Sequence, residues 1–161
     1  MPTEVYRKLY ETLRKRGGWY GARDIPEFYA LAEALFTPEE AEVQCAMPRT
    51  PATAEMLAKE MNRTEAEVQP VLEAMADKGC CGSADVGGAR WYVGNMLMLL
   101  SEMPFTGGGE TEWHRRLAKR VHEYREAINE SEGPPKVNFP GNRMIPIEAT
   151  IQAGNKVQSY E

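Results

Sequence analysis

A chain of 161 residues, 42% of them hydrophobic, with a formal charge of −5 is long enough to bury one core of ordinary size. No run approaches the roughly 18 apolar residues of a membrane span, and the charged opening segment has no signal-peptide character, so the cytoplasm is the expected compartment. The acidic balance opposes long-range attraction to a polyanion and disfavours nucleic acid as a partner.

Residues 3–16 place Val5, Leu9 and Leu13 four apart, with Arg7, Lys8, Arg14, Lys15 and Arg16 largely off that stripe. The spacing predicts an opening helix that docks by one narrow face and ends at Gly17-Gly18. After an aromatic loop with Trp19 and Tyr20, Pro26 to Phe36 reads as a second helix with Phe28, Leu31, Ala32 and Leu35 on one side. Thr37-Pro38-Glu39-Glu40 combines a cap, a proline at the first helical position and a capping-box glutamate, which starts a helix running to about Cys45.

Thr50-Pro51 repeats the cap-and-proline signal, and Ala54, Leu57, Ala58 and Met61 recur at helical spacing behind it. Asn62-Arg63 makes a turn, Thr64 with Glu67 forms a second capping box, and Val68, Val71, Leu72 and Met75 continue the pattern until Lys78-Gly79. Two short helices joined in this way predict a helix-turn-helix. Cys80 to Ala84 and Ala89 to Val93 are expected to pair as a hairpin about Gly87-Gly88, which supply the positive φ of a tight turn.

Asn95 to Met103 is apolar and fits either a buried strand or the start of a helix. Pro104 and Gly107-Gly108-Gly109 break the chain, and residues 111–130 form its longest periodic element, with Trp113, Leu117, Val121, Tyr124 and Ile128 along one side. From Ser131 onward prolines and glycines remove helical periodicity and leave an extended arm with a strand-like patch at Met144 to Ile151. The expected fold is mainly α: a winged helix-turn-helix domain over residues 1–130 with a two-stranded wing and flanking helices. Residues 131–161 form a Pro/Gly-rich arm toward a further domain or a partner.

The second helix of the pair carries the wrong charge for DNA. Between Glu65 and Lys78 the acids are Glu65, Glu67, Glu73 and Asp77 and the only base is Lys78, so four minus one leaves three net negative charges toward any phosphate. Base readout needs Arg, Asn or Gln donors, which this helix scarcely offers, and Pro70 within it is expected to impose a kink. Glu65, Glu73, Asp77 and Lys78 are the candidate contacts for a protein partner. The alternative, a winged-helix transcription regulator, would use Arg90 of the wing and Arg115, Arg116, Lys119 and Arg120 of the long helix. Arg125 shares that basic face, but glutamates interspersed along it fit a solvated surface with i,i+4 pairs.

No residue is assigned to catalysis. His114 and His122 lie eight apart, too far along a helix to share a metal, although Glu110 and Glu126 stand four residues from one or the other. Phosphate-cradling loops and nucleophile elbows are missing from the sequence. Cys45, Cys80 and Cys81 offer no CxxC pair, so no cofactor or metal site is expected in this segment, and Cys80 and Cys81 are expected as reduced, partly buried thiols.

Val5-Tyr6-Arg7-Lys8-Leu9, the segment Leu35-Phe36-Thr37-Pro38-Glu39-Glu40-Ala41-Glu42, the run Leu72 to Gly79 and Arg143-Met144-Ile145-Pro146-Ile147 together resemble the N-terminal region of cytoplasmic 4Fe-4S ferredoxin-type oxidoreductase proteins of anaerobic bacteria. In that family a winged-helix-like domain precedes cysteine-rich cluster motifs, and Val157-Gln158-Ser159-Tyr160-Glu161 looks like the segment leading into them. The cluster-binding cysteines have no counterpart in residues 1–161, so electron transfer is carried over to no residue here. The resemblance implies a docking module of an iron–sulfur redox system, with 4Fe-4S clusters held by a partner or by the chain's own ferredoxin portion.

Overall fold

The structure is a computed structural model, and it describes residues 3–17 and 21–132. It is mainly helical, with one small antiparallel sheet. Helix α1 (Glu4–Arg16) buries Tyr6, Leu9, Leu13 and Arg16, while Val5 is only half-buried. The stripe therefore runs through Tyr6, and it ends on a charged residue that the sequence places toward solvent. Helix α2 (Pro26–Leu35) buries Phe28, Leu31, Ala32 and Leu35, the expected face.

Helix α3 (Pro38–Ala46) starts with the expected capping box: Thr37 N–H donates to Glu40 Oε2 at 2.8 Å and Glu40 N–H donates to Thr37 Oγ1 at 3.2 Å. Its other end explains Arg16. The guanidinium donates to the backbone carbonyls of Gln44 and Met47 at 2.8 and 2.7 Å and to that of Asn95 at 3.3 Å. Carbonyls in a helix's last turn have no intrahelical partner and carry the negative end of its dipole, so a guanidinium takes the place of water there.

Thr50 and Pro51 do not start the next helix. Ala52–Thr53 form a short strand, β1, and Thr53 caps α4 (Ala54–Glu60) by accepting from Met56 N–H at 3.3 Å. The shift has a tertiary cause: Ala52 and Thr53 pair with Tyr92 and Trp91, a long-range ladder that local propensity does not show. Asn62, at φ 53, closes α4, with Arg63 N–H reaching Ala58 O at 2.8 Å and Asn62 N–H reaching Lys59 O at 3.2 Å.

Helix α5 (Glu65–Asp77) buries Val68, Leu72 and Met75 and remains a single helix through Pro70. Pro70 and Ala66 both lie on the exposed side, where a carbonyl that the proline cannot serve costs least. Strands β2 (Cys81–Val86) and β3 (Ala89–Gly94) form the expected hairpin, β2 starting one residue later and ending two later than expected and β3 ending one later, with Gly87 at φ 62 and Gly88 at φ 81. The sheet order is β1-β3-β2, so the segment before α4 joins the hairpin.

Beyond the sheet, α6 (Leu97–Leu100) and a 3-10 turn at Met103–Phe105 decide the Asn95 to Met103 stretch in favour of helix. Helix α7 (Glu112–Glu132) packs along α2 and buries Leu117, Val121, Tyr124 and Ile128. Trp113 is half-buried and donates from Nε1 to Ala34 O at 3.0 Å. Residues 131–132, assigned to the arm from sequence, belong to α7; the remainder of the arm with its Met144 to Ile151 patch, and the loop aromatics Trp19 and Tyr20, lie outside the described residues. Among the described residues no helix is long and apolar enough to cross a membrane.

Candidate docking surface

Of the four acidic-helix candidates, two serve the fold itself. Lys78 Nζ lies 2.7 Å from both carboxylate oxygens of Glu40, whose side chain is almost fully buried. Glu40 thus caps α3 and anchors the end of α5 with one carboxylate. Gly79 follows at φ 74, with Cys80 N–H donating to Met75 O at 2.7 Å and Gly79 N–H to Ala76 O at 2.9 Å, a Schellman closure. A Cβ on Gly79 would stand 2.9 Å from the Met103 backbone, so glycine is required for space as well as for φ.

Glu73 is also occupied. It receives a forked pair from Arg90, Nε at 3.0 Å and Nη2 at 3.2 Å, and the Tyr92 hydroxyl at 2.5 Å. Arg90 further donates to Asp85 Oδ2 at 3.0 Å and Ser83 Oγ at 3.1 Å. The Tyr92 hydroxyl and then Arg90 hold the Glu73 carboxyl below its usual range, while burial and the bond to Glu73 push Tyr92 up to about 12. Arg90 is therefore the clasp between hairpin and α5. Glu65 and Asp77 are exposed, and they share the open side of α5 with Ala66, Gln69, Pro70 and Ala74.

The two faces of the hairpin differ in chemistry. Cys81, Ser83 and Asp85 alternate with Gly82, Ala84 and Val86 on β2, and Arg90 and Tyr92 alternate with Ala89, Trp91 and Val93 on β3. The first set faces α5 through the Glu73 cluster and the Cys81 thiol, which lies 3.7 Å from Leu72 O. The second set pairs across the strands as Gly82 with Val93, Ala84 with Trp91 and Val86 with Ala89. It forms the wall of an open apolar hollow of about 690 Å³, edged by Pro51. Val86 is 62% exposed, and no charged side chain lines the hollow. Sequence reasoning missed this face, although the period-two run Ala89, Trp91, Val93 was its signal.

The basic face proposed for nucleic acid is largely self-compensated. Arg120 pairs with Glu123 at 2.7 Å, Lys119 approaches the same carboxylate at 3.9 Å, and Arg125 lies 3.5 Å from Glu102. Arg115 and Arg116 are exposed, and neither forms an ion pair among the described residues. Arg90 belongs to the hairpin and α5, whereas α7 packs on α2, so the candidate cations divide between two elements.

His114 does not meet Glu110. Its Nδ1 lies 2.6 Å from Thr111 Oγ1 and its Nε2 3.2 Å from Pro104 O, an arrangement that ties the start of α7 to the preceding turn. His122 is exposed beside Glu123 and Glu126 in an open groove between α2 and α7. Cys80 and Cys81 are free thiols, both buried more fully than expected, and burial pushes each up to about 12. Among the described residues no group of three or more His, Cys, Asp or Glu is placed to hold a metal ion. Comparison of the chain with protein-family models, with curated proteins and with solved structures finds no match.

Proposed function

We propose that this chain is a cytoplasmic protein-docking module of winged-helix type, which binds a protein partner through the outer face of its hairpin and the open side of α5. The observation that carries this reading is the uncharged hollow at Ala84, Val86, Trp91 and Val93. An apolar patch of this kind beside a polar rim is the usual anatomy of a protein contact. The α4–α5 pair preceded by β1 and followed by a hairpin that returns to β1 supports the winged-helix reading. Glu65 and Asp77, rather than Glu73 and Lys78, are the acidic side chains left open on α5 for such a contact. The iron–sulfur setting, with clusters on the partner or on a further portion of the chain, comes from the sequence resemblance alone.

The DNA-binding alternative has Arg115 and Arg116 as its uncompensated candidate cations, and the open side of α5 presents no base at all. The test is titration of the isotope-labelled chain with a 4Fe-4S ferredoxin-type protein, following the Trp91 indole resonance. Saturable shifts at Trp91 and Val86, lost in Val86→Asp and weakened in Glu65→Lys/Asp77→Lys, are expected. Shifts confined to Arg115 and Arg116 with a DNA duplex at low salt, and none with the ferredoxin, would replace this reading by the regulator.

A further inference from the structure

Arg16 is 8% exposed, and the interactions around it contain no carboxylate. A guanidinium has five N–H donors, and the three bonds to Gln44 O, Met47 O and Asn95 O leave two of them uncommitted. Burial lowers the Arg16 pKa most, the Cys45 thiol opposes that lowering, and the charge of Arg49 adds to it. Arg49 is exposed and forms no ion pair among the described residues.

Both arginines line one pocket of about 270 Å³, whose other walls are Val93, Gly94, Asn95, Met96 and Leu99. The backbone is shaped to hold this guanidinium. A Cβ on Gly94 would stand 2.8 Å from Arg16 Nη1, so the guanidinium lies directly against the strand at this glycine. Two guanidiniums lining one cavity, with uncommitted donors on Arg16 and no carboxylate among its partners, suit an oxyanion, since a forked guanidinium matches a carboxylate's geometry. The apolar side chains of Val93, Met96 and Leu99 then suit a hydrocarbon body behind the charged head.

We infer that the pocket between Arg16 and Arg49 binds a small organic carboxylate, its head between the two guanidiniums and its apolar part against Val93 and Leu99. The volume holds a ligand of benzoate size. This site adjoins the docking hollow at Val93, which lines both, but it does not rest on the docking reading.

The experiment is titration of the labelled chain with benzoate, with benzamide as the neutral isostere and inorganic phosphate as an anion without an apolar body. Benzoate is expected to shift the Gly94, Asn95 and Leu99 amides and the Arg16 side-chain Nε–H in a saturable manner, while benzamide does not. Arg49→Gln, which removes an exposed and unpaired side chain and so spares the fold, is expected to weaken benzoate at least about tenfold. Arg49→Lys is expected to weaken it less. No saturation with benzoate, equal response to benzamide, saturation by phosphate alone, or an unchanged affinity in Arg49→Gln would each overturn the assignment.

Discussion

Lys78 Nζ sits 2.7 Å from both oxygens of Glu40, joining the last turn of α5 to the first turn of α3 across 38 residues of sequence. The carboxylate is the more buried partner, 7% exposed against 31% for the lysine side chain, so the two substitutions are not equivalent. Glu40→Ala removes both the α3 capping box and the ion pair and is expected to destabilise the fold by about 2 to 4 kcal/mol. Lys78→Ala leaves Glu40 with its Thr37 donor and is expected to cost about 1 to 2 kcal/mol. Urea unfolding of the two variants and of the double variant measures the coupling. Equal and additive effects would show that the pair does not act as a unit.

Gly79→Ala is expected to cost about 2 kcal/mol or more, since it places a Cβ at positive φ and 2.9 Å from the Met103 backbone. Gly87→Ala, where positive φ is required but nothing crowds the site, is expected to cost less. Chemical denaturation of both variants separates the steric part from the conformational part. Equal losses would place no weight on the Met103 contact.

Acid destabilisation is expected to include Glu73. Its carboxyl is held below the ordinary value of 4.5, so the folded state binds fewer protons than the unfolded one near that pH. The contribution is fully present above that value and is lost as pH falls through the lower folded value. In Glu73→Gln the unfolding free energy is expected to fall less steeply below pH 4.5 than in the parent. Parallel pH profiles of the two proteins would remove Glu73 from the account.

The buried thiols have the opposite sign. Burial raises Cys80 and Cys81 from 9.0 to about 12, so their contribution is present below 9.0 and is lost as pH rises from there toward 12. Alkylation followed by mass spectrometry at neutral pH is expected to label half-buried Cys45 first, with Cys80 and Cys81 protected until the chain unfolds. Labelling of Cys80 or Cys81 faster than global unfolding would show that the hairpin opens away from α5 by itself.

Residues by themselves determined where most elements lie. The apolar spacing of α2, α5 and α7 and the Gly87-Gly88 turn are local signals, and local signals survive into the fold because each depends on only a few neighbouring residues. Tertiary structure decided what the charged residues do. Lys78, Glu73 and Arg90 look like surface charges in sequence, yet their partners lie on other elements, and pairing them consumes the charge that sequence reading offers to a partner. Arg16 stands seven residues after Leu9, on the buried face of α1, and its charge is accommodated there because the end of α3 presents carbonyls that it satisfies. Pro51 yields the helix start to Thr53 because strand pairing with Tyr92 and Trp91 outweighs a local cap. Periodicity reads a neighbourhood of a few residues, whereas burial of charge and closure of a sheet depend on contacts dozens of residues apart.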